Sequence, residues 1–149
     1  MSMLFTSVNC GLLVLIWIVQ IIIYPGMHGW DRERFKVLHR DYVPRISLIV
    51  VPLILAQAAL ALRQAMLAPN LISTAQVVLI GAVLGVTFFF SVPLHKRLSA
   101  GYDAQAVTRL IGTNWLRTIG WSLVSLLDWL QVLGEKAAAA ISLFRIGLD

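Results

Sequence analysis

Three histidines, His28, His39 and His95, are the side chains of this chain best suited to chemistry near neutral pH. Neutral imidazoles bind copper, iron and zinc, and Asp31, Glu33 or Asp41 could complete a coordination shell or orient a ring. The chain has no HExxH or CxxC motif and no two histidines at i, i+4 spacing, so any shared site must be assembled from different segments. A second group is Thr113-Asn114-Trp115-Leu116-Arg117-Thr118. Its Asn114 amide and Arg117 guanidinium can donate to an anionic or carbonyl-bearing ligand, with Tyr24, Tyr42 and Arg45 at similar depth. The plainer alternative is that Asn114 caps a helix, Trp115 sits in a headgroup belt and Arg117 reaches an interface. No G-x-S-x-G elbow or phosphate-binding glycine loop occurs, so hydrolase and nucleotide chemistry have no support.

The elements that must position these residues are hydrophobic rods. Of 149 residues, 59% are apolar and 13% charged, and the mean hydropathy is +0.84, which excludes an ordinary water-soluble globule. No charged side chain occurs from Met1 to Trp30, from Ile46 to Leu62 or from Gln64 to His95. A bilayer core about 30 Å thick needs roughly 20 apolar residues as helix. These gaps predict spans at 4–24, 46–62 and 75–94. A fourth, at 115–133, carries Arg117 near one end and Asp128 near the other. The first run is longer than a signal-peptide core and lacks a basic flank, so it is expected to be a retained helix. The fold expected is all-α: one transmembrane domain over 1–149, a four-helix bundle, with a short outer-face tail at 135–149.

Nine of the twelve basic residues fall in the first and third connections. By the positive-inside rule that face is cytoplasmic, which puts both termini on the non-cytoplasmic side of the inner (plasma) membrane. The net charge of +5 is therefore mainly a topology signal, and nucleic acid is not an expected partner. In Asp31–Tyr42 the residues Phe35, Leu38 and Tyr42 recur at helical spacing, as do Val107, Leu110 and Ile111 in Ala104–Ile111. Both patterns predict short amphipathic helices in the cytoplasmic connections. His28, His39 and His95 then lie at helix ends on one level and can converge. Asp128 stands eleven residues beyond Arg117, about 16 Å along a helix, where Arg63 or Lys136 could neutralise it. Gln20 and Gln57 can bond across helices, and Gly81, Ala82 and Gly85 predict a close approach by the third helix. The lone Cys10 reads as a small apolar residue within the first helix.

Several stretches resemble a family of small, largely uncharacterised four-helix bacterial membrane proteins. They are Tyr24-Pro25, Phe35, Leu38-His39, Arg45-Ile46 and Val51-Pro52, then Val92-Pro93-Leu94-His95, Leu98, Gly101-Tyr102-Asp103, Thr113 to Thr118 and Trp121. The resemblance covers roughly residues 17–125, and its most specific part is the Val-Pro-x-His and Asn-Trp-Leu-Arg-Thr pair. That family is in turn similar to anthrone-oxygenase-like membrane proteins, which act on aromatic polyketides. The resemblance implies an oxidoreductase or oxygenase acting on a lipophilic aromatic or quinone-like molecule. In that reading His28, His39 and His95 bind copper, iron or haem, or take protons, while Asn114 and Arg117 orient the substrate oxygen. The alternative is a non-catalytic accessory subunit in contact with the lipid bilayer and a larger membrane complex or a second copy of itself.

Overall fold

The computed structural model describes residues 3–146, and among them every regular element is helical. Four rods follow the chain: α1 (Met3–Gly29), α2 (Phe35–Leu67), α3 (Leu71–Leu98) and α4 (Ala104–Ile146). The first three are long and apolar enough to cross a membrane. Each rod packs on its neighbours in sequence, and α4 closes the ring by packing on α1 as well as α3. The turns between them are locally determined. Asp31 Oδ1 accepts from Arg34 N–H at 2.8 Å before α2, and Asn70 and Ser73 form a reciprocal capping box that starts α3. Asp103 Oδ1 accepts from Ala106 N–H at 2.9 Å to start α4.

Two of the rods contain a wide turn just ahead of a proline. In α1 it spans Val19–Ile23, and Tyr24 N–H bonds to Val19 O, with Pro25 next. In α3 it spans Thr87–Ser91, and Val92 N–H bonds to Thr87 O, with Pro93 next. A proline lacks the N–H for the i−4 carbonyl and its ring crowds that carbonyl, so the preceding ladder slips by one residue instead of breaking. The slip widens the turn, and each wide turn holds a buried polar side chain, Gln20 or Ser91.

Several expectations are corrected by this arrangement. The amphipathic segments Asp31–Tyr42 and Ala104–Ile111 are not separate helices. Helix α2 begins at Phe35 and runs through Pro44 and Pro52, and Ala104–Ile111 forms the first turns of α4. Both prolines are accommodated because each removes one ladder bond from a rod of 33 residues. Asn114 caps nothing, since α4 starts ten residues earlier. The segment 135–146 continues α4, and the remainder of the expected tail, 147–149, lies outside the described residues. Gly81 and Gly85 make no close approach, because an added Cβ would meet nothing within 4 Å at either. The tight contact is instead at Gly120 of α4, where an added Cβ would collide with the Val83 side chain of α3.

Polarity is arranged with the apolar side outward. On α4, Asn114, Arg117, Thr118, Ser125 and Asp128 face inward with Val107, Leu110, Trp121 and Val124. Leu116, Ile119, Leu126 and Leu130 of the same helix are exposed. The inward polar stripe explains why α4 falls outside the apolar trio. Asn9 and Gln20 of α1, His39 and Gln57 of α2, and Ser73, Gln76 and Ser91 of α3 are buried as well.

Candidate functional site

A row of hydrogen bonds joins three rods where α1 and α3 end and α2 begins. Tyr24 Oη lies 3.0 Å from His95 Nε2, His95 Nδ1 lies 3.1 Å from His39 Nε2, and His39 Nδ1 lies 3.2 Å from Ser99 Oγ. Each member is placed by its element. Tyr24 follows the wide turn of α1, and His95 stands two residues beyond Pro93, with Ser99 one turn further along. His39 is fully buried, stacked on Phe35 at 5.7 Å and on His95 at 5.3 Å between ring centroids.

The serine sets the direction of the row. With the Ser99 O–H directed at the His95 backbone carbonyl, 2.9 Å away, the hydrogen between Ser99 and His39 sits on His39 Nδ1. With one proton on each ring, His39 Nε2 then accepts from His95 Nδ1–H, and His95 Nε2 accepts from Tyr24 O–H. Passing one proton along the row reverses every bond in it. All four side chains can both give and take a proton, which is the requirement for a relay.

A second network lies beside the first. Arg117, only 7% exposed, donates from one terminal nitrogen to Asn114 Oδ1 at 3.1 Å and to Ser91 Oγ at 3.4 Å. Its guanidinium carbon stands 5.1 Å from the centre of the Trp121 ring. Asn114 Nδ2 donates to Gln20 Oε1 at 2.8 Å, and Gln20 Nε2 reaches the Ile111 carbonyl at 3.4 Å. Asn114 is thus a positioning residue for Arg117. Further along, Trp121 Nε1–H donates to Gln57 Oε1 at 3.0 Å, and Gln57 Nε2 donates to Asn9 Oδ1 at 2.8 Å. The cross-helix bonding expected of Gln20 and Gln57 is therefore present.

Both networks border a cleft of about 530 Å³ between α2 and α3. Its floor holds Tyr24, Tyr42, Ser91, His95 and Arg117, and its walls are apolar, with Val50, Ile54 and Leu84 among them. Val51, Leu55, Phe88 and Val92 line it too and are half or more exposed, so the cleft opens on the apolar outer surface of the molecule. The volume falls in the range of small-molecule sites, and a mostly apolar lining with a few convergent polar groups is their usual make-up.

The three imidazoles expected to meet do not all do so. His39 and His95 are joined, whereas His28 is exposed and its Nδ1 lies 3.2 Å from Tyr102 Oη, away from the pair. Among the described residues no group of three His, Cys, Asp or Glu is gathered to hold a metal ion. Two imidazoles alone make an incomplete shell, and none of Asp31, Glu33 and Asp41 completes it. Arg45 pairs with Asp41 on the surface at 2.9 Å and takes no part in the site. Asp128 is fully buried with its carboxylate facing the Thr6 and Asn9 side chains, and the expected ion pair with Arg63 or Lys136 is not made. Ser99 and Ser91 were not singled out by sequence, although both stand four residues from His95, the spacing that puts side chains on one helix face. Comparison with protein-family models, with curated proteins and with solved structures finds no match to this chain.

Proposed function

We propose that this chain is an integral membrane four-helix bundle that binds a lipophilic aromatic or quinone-like molecule in the cleft between α2 and α3. It exchanges protons with an oxygen of that molecule through Tyr24, His95, His39 and Ser99. The reaction class is that of an oxidoreductase or oxygenase, in which a diffusible electron donor or acceptor, or molecular oxygen, would supply the electrons or the oxygen atom and the row would carry only the accompanying protons. The membrane reading draws on the inverted polarity: buried Asn, Gln, Arg and Asp side chains with Leu, Ile and Phe outside suit lipid as solvent. The nine basic residues of the first and third connections favour a cytoplasmic position for the row.

The observation that carries the proposal is a directional hydrogen-bonded row whose Tyr24 end lies at the floor of an apolar cleft. Oxygen atoms of a bound ring would meet Tyr24, Tyr42 and Arg117, while its apolar body would lie along Val50 and Ile54. The roles then differ from those expected of a metal centre: His39 and His95 move protons, Arg117 orients the oxygen, and His28 has no part.

The test uses protein reconstituted in nanodiscs and titrated with a short-chain benzoquinone, with tryptophan quenching as the readout. Saturable binding is expected in the wild type, and Ile54→Trp, which fills the cleft, should weaken it at least about tenfold. His28→Ala should bind as the wild type does. Non-saturable quenching, or binding unaltered by Ile54→Trp, would overturn the proposal.

A further inference from the structure

Arg117 is a buried cation without an anion. Its guanidinium is bonded to the neutral Asn114 and Ser91, meets the Tyr24 side chain and lies over the Trp121 ring. The Nε–H has no partner at all. Among the described residues the ion pairs of the acids go elsewhere, Asp41 to Arg45 and Asp103 to Arg97. A guanidinium cannot shed its proton to escape this situation, as a buried lysine can. An uncompensated charge away from water is unfavourable unless a partner arrives. The side chain lines the cleft, so the partner can come from there.

We infer that the cleft takes its ligand as an anion: an apolar ring system bearing one ionised oxygen, which supplies the negative charge that Arg117 lacks. The inference rests on the cleft reading above and narrows the ligand class within it. Three features define the ligand. The unpartnered Nε–H leaves the Arg117 guanidinium with a donor that an oxyanion can meet. The Tyr42 ring borders the same floor, where its hydroxyl can donate to that oxygen. The apolar walls and outward opening admit only a molecule whose remaining surface is apolar. A phospholipid phosphate from the surrounding bilayer presents the same charge, so the experiment separates it from a free ligand.

The probes are 2-hydroxy-1,4-naphthoquinone, which ionises, and its methyl ether, which does not. Binding is followed by tryptophan quenching in nanodiscs of digalactosyldiacylglycerol, a neutral lipid without phosphate. The hydroxy compound should bind at least about tenfold more tightly than the ether. That preference should vanish as the pH falls through the probe's own acid range, a readout needing no variant. In Arg117→Gln the preference should be lost, and in Arg117→Lys, which keeps the charge without the guanidinium, it should survive in weakened form. Equal binding of both probes to the wild type would overturn the anion inference and leave the cleft reading standing. Binding of neither would overturn the cleft reading itself. If phosphatidylglycerol in the nanodisc abolishes binding of the hydroxy compound, the anion is a lipid phosphate and the free-ligand assignment falls.

Discussion

Asp103 shows how a single carboxylate can serve a helix end and a neighbouring turn together. It accepts from Ala106 N–H and pairs with Arg97 at 2.5 Å. The backbone N–H of Ala106 holds its carboxyl below the ordinary value of 3.8, with the Arg97 guanidinium adding to the effect. A depressed folded value means that the stabilisation is present above the unfolded value and is lost as pH falls through the folded one. Asp103→Asn should therefore lower the melting temperature at neutral pH, and the two proteins should converge once the pH has fallen through the depressed folded value. Thermal unfolding in detergent followed by circular dichroism checks this, and a difference that persisted in acid would contradict it. Asp128 is the opposite case. Its buried carboxylate faces the neutral Thr6 and Asn9 side chains, so Asp128→Asn removes a buried charge while keeping the shape and should leave stability unchanged or raise it by about 1–3 kcal/mol. A marked fall in the same measurement would show that the carboxylate has a stabilising role.

Helices α3 and α4 meet where one residue has no side chain. The Val83 methyl occupies the space that a Cβ at position 120 would need. Gly120→Leu should destabilise by roughly 1–3 kcal/mol, while Gly81→Leu, with open space, should change little. Denaturation in mixed micelles separates the two. The wide turns make a different prediction. Pro93 is the local cause of the slipped ladder at Thr87–Ser91, so Pro93→Ala permits regular α-helix and removes the reason for the extra residue. The variant should be as stable as the wild type or more so, yet bind the cleft probe at least about tenfold more weakly, because Ser91 would turn relative to Arg117. Unchanged affinity would show that the wide turn has no bearing on the site.

For the molecule as a whole the proposal places the relay at the cytoplasmic end. Single cysteines introduced at Arg34 and Arg109 of a Cys10→Ala protein should both react with a membrane-impermeant maleimide only after the inner face is opened. One introduced at Asn70 should react from the outside. Labelling of positions 34 and 109 from opposite sides would overturn the topology and with it the proposed membrane bundle.

Much of this architecture was legible in the chain, because charge-free runs near 20 residues favour long apolar helices. The predicted spans 4–24, 46–62 and 75–94 each lie within a rod. That His39, His95 and Arg117 would need partners was visible too, since ionisable groups beside such runs require them. Which partners they found was decided only by packing. The wide turns before Pro25 and Pro93 shift the residues that follow by one position, and no period-3.6 projection carries that shift. The ring closure of α4 on α1 sets Asn114 against Gln20, 94 positions apart. Helical periodicity reports which face of a rod is unlike the others. The depth and rotation at which two rods meet depend on contacts such as Gly120 on Val83, and these are set by shape in three dimensions.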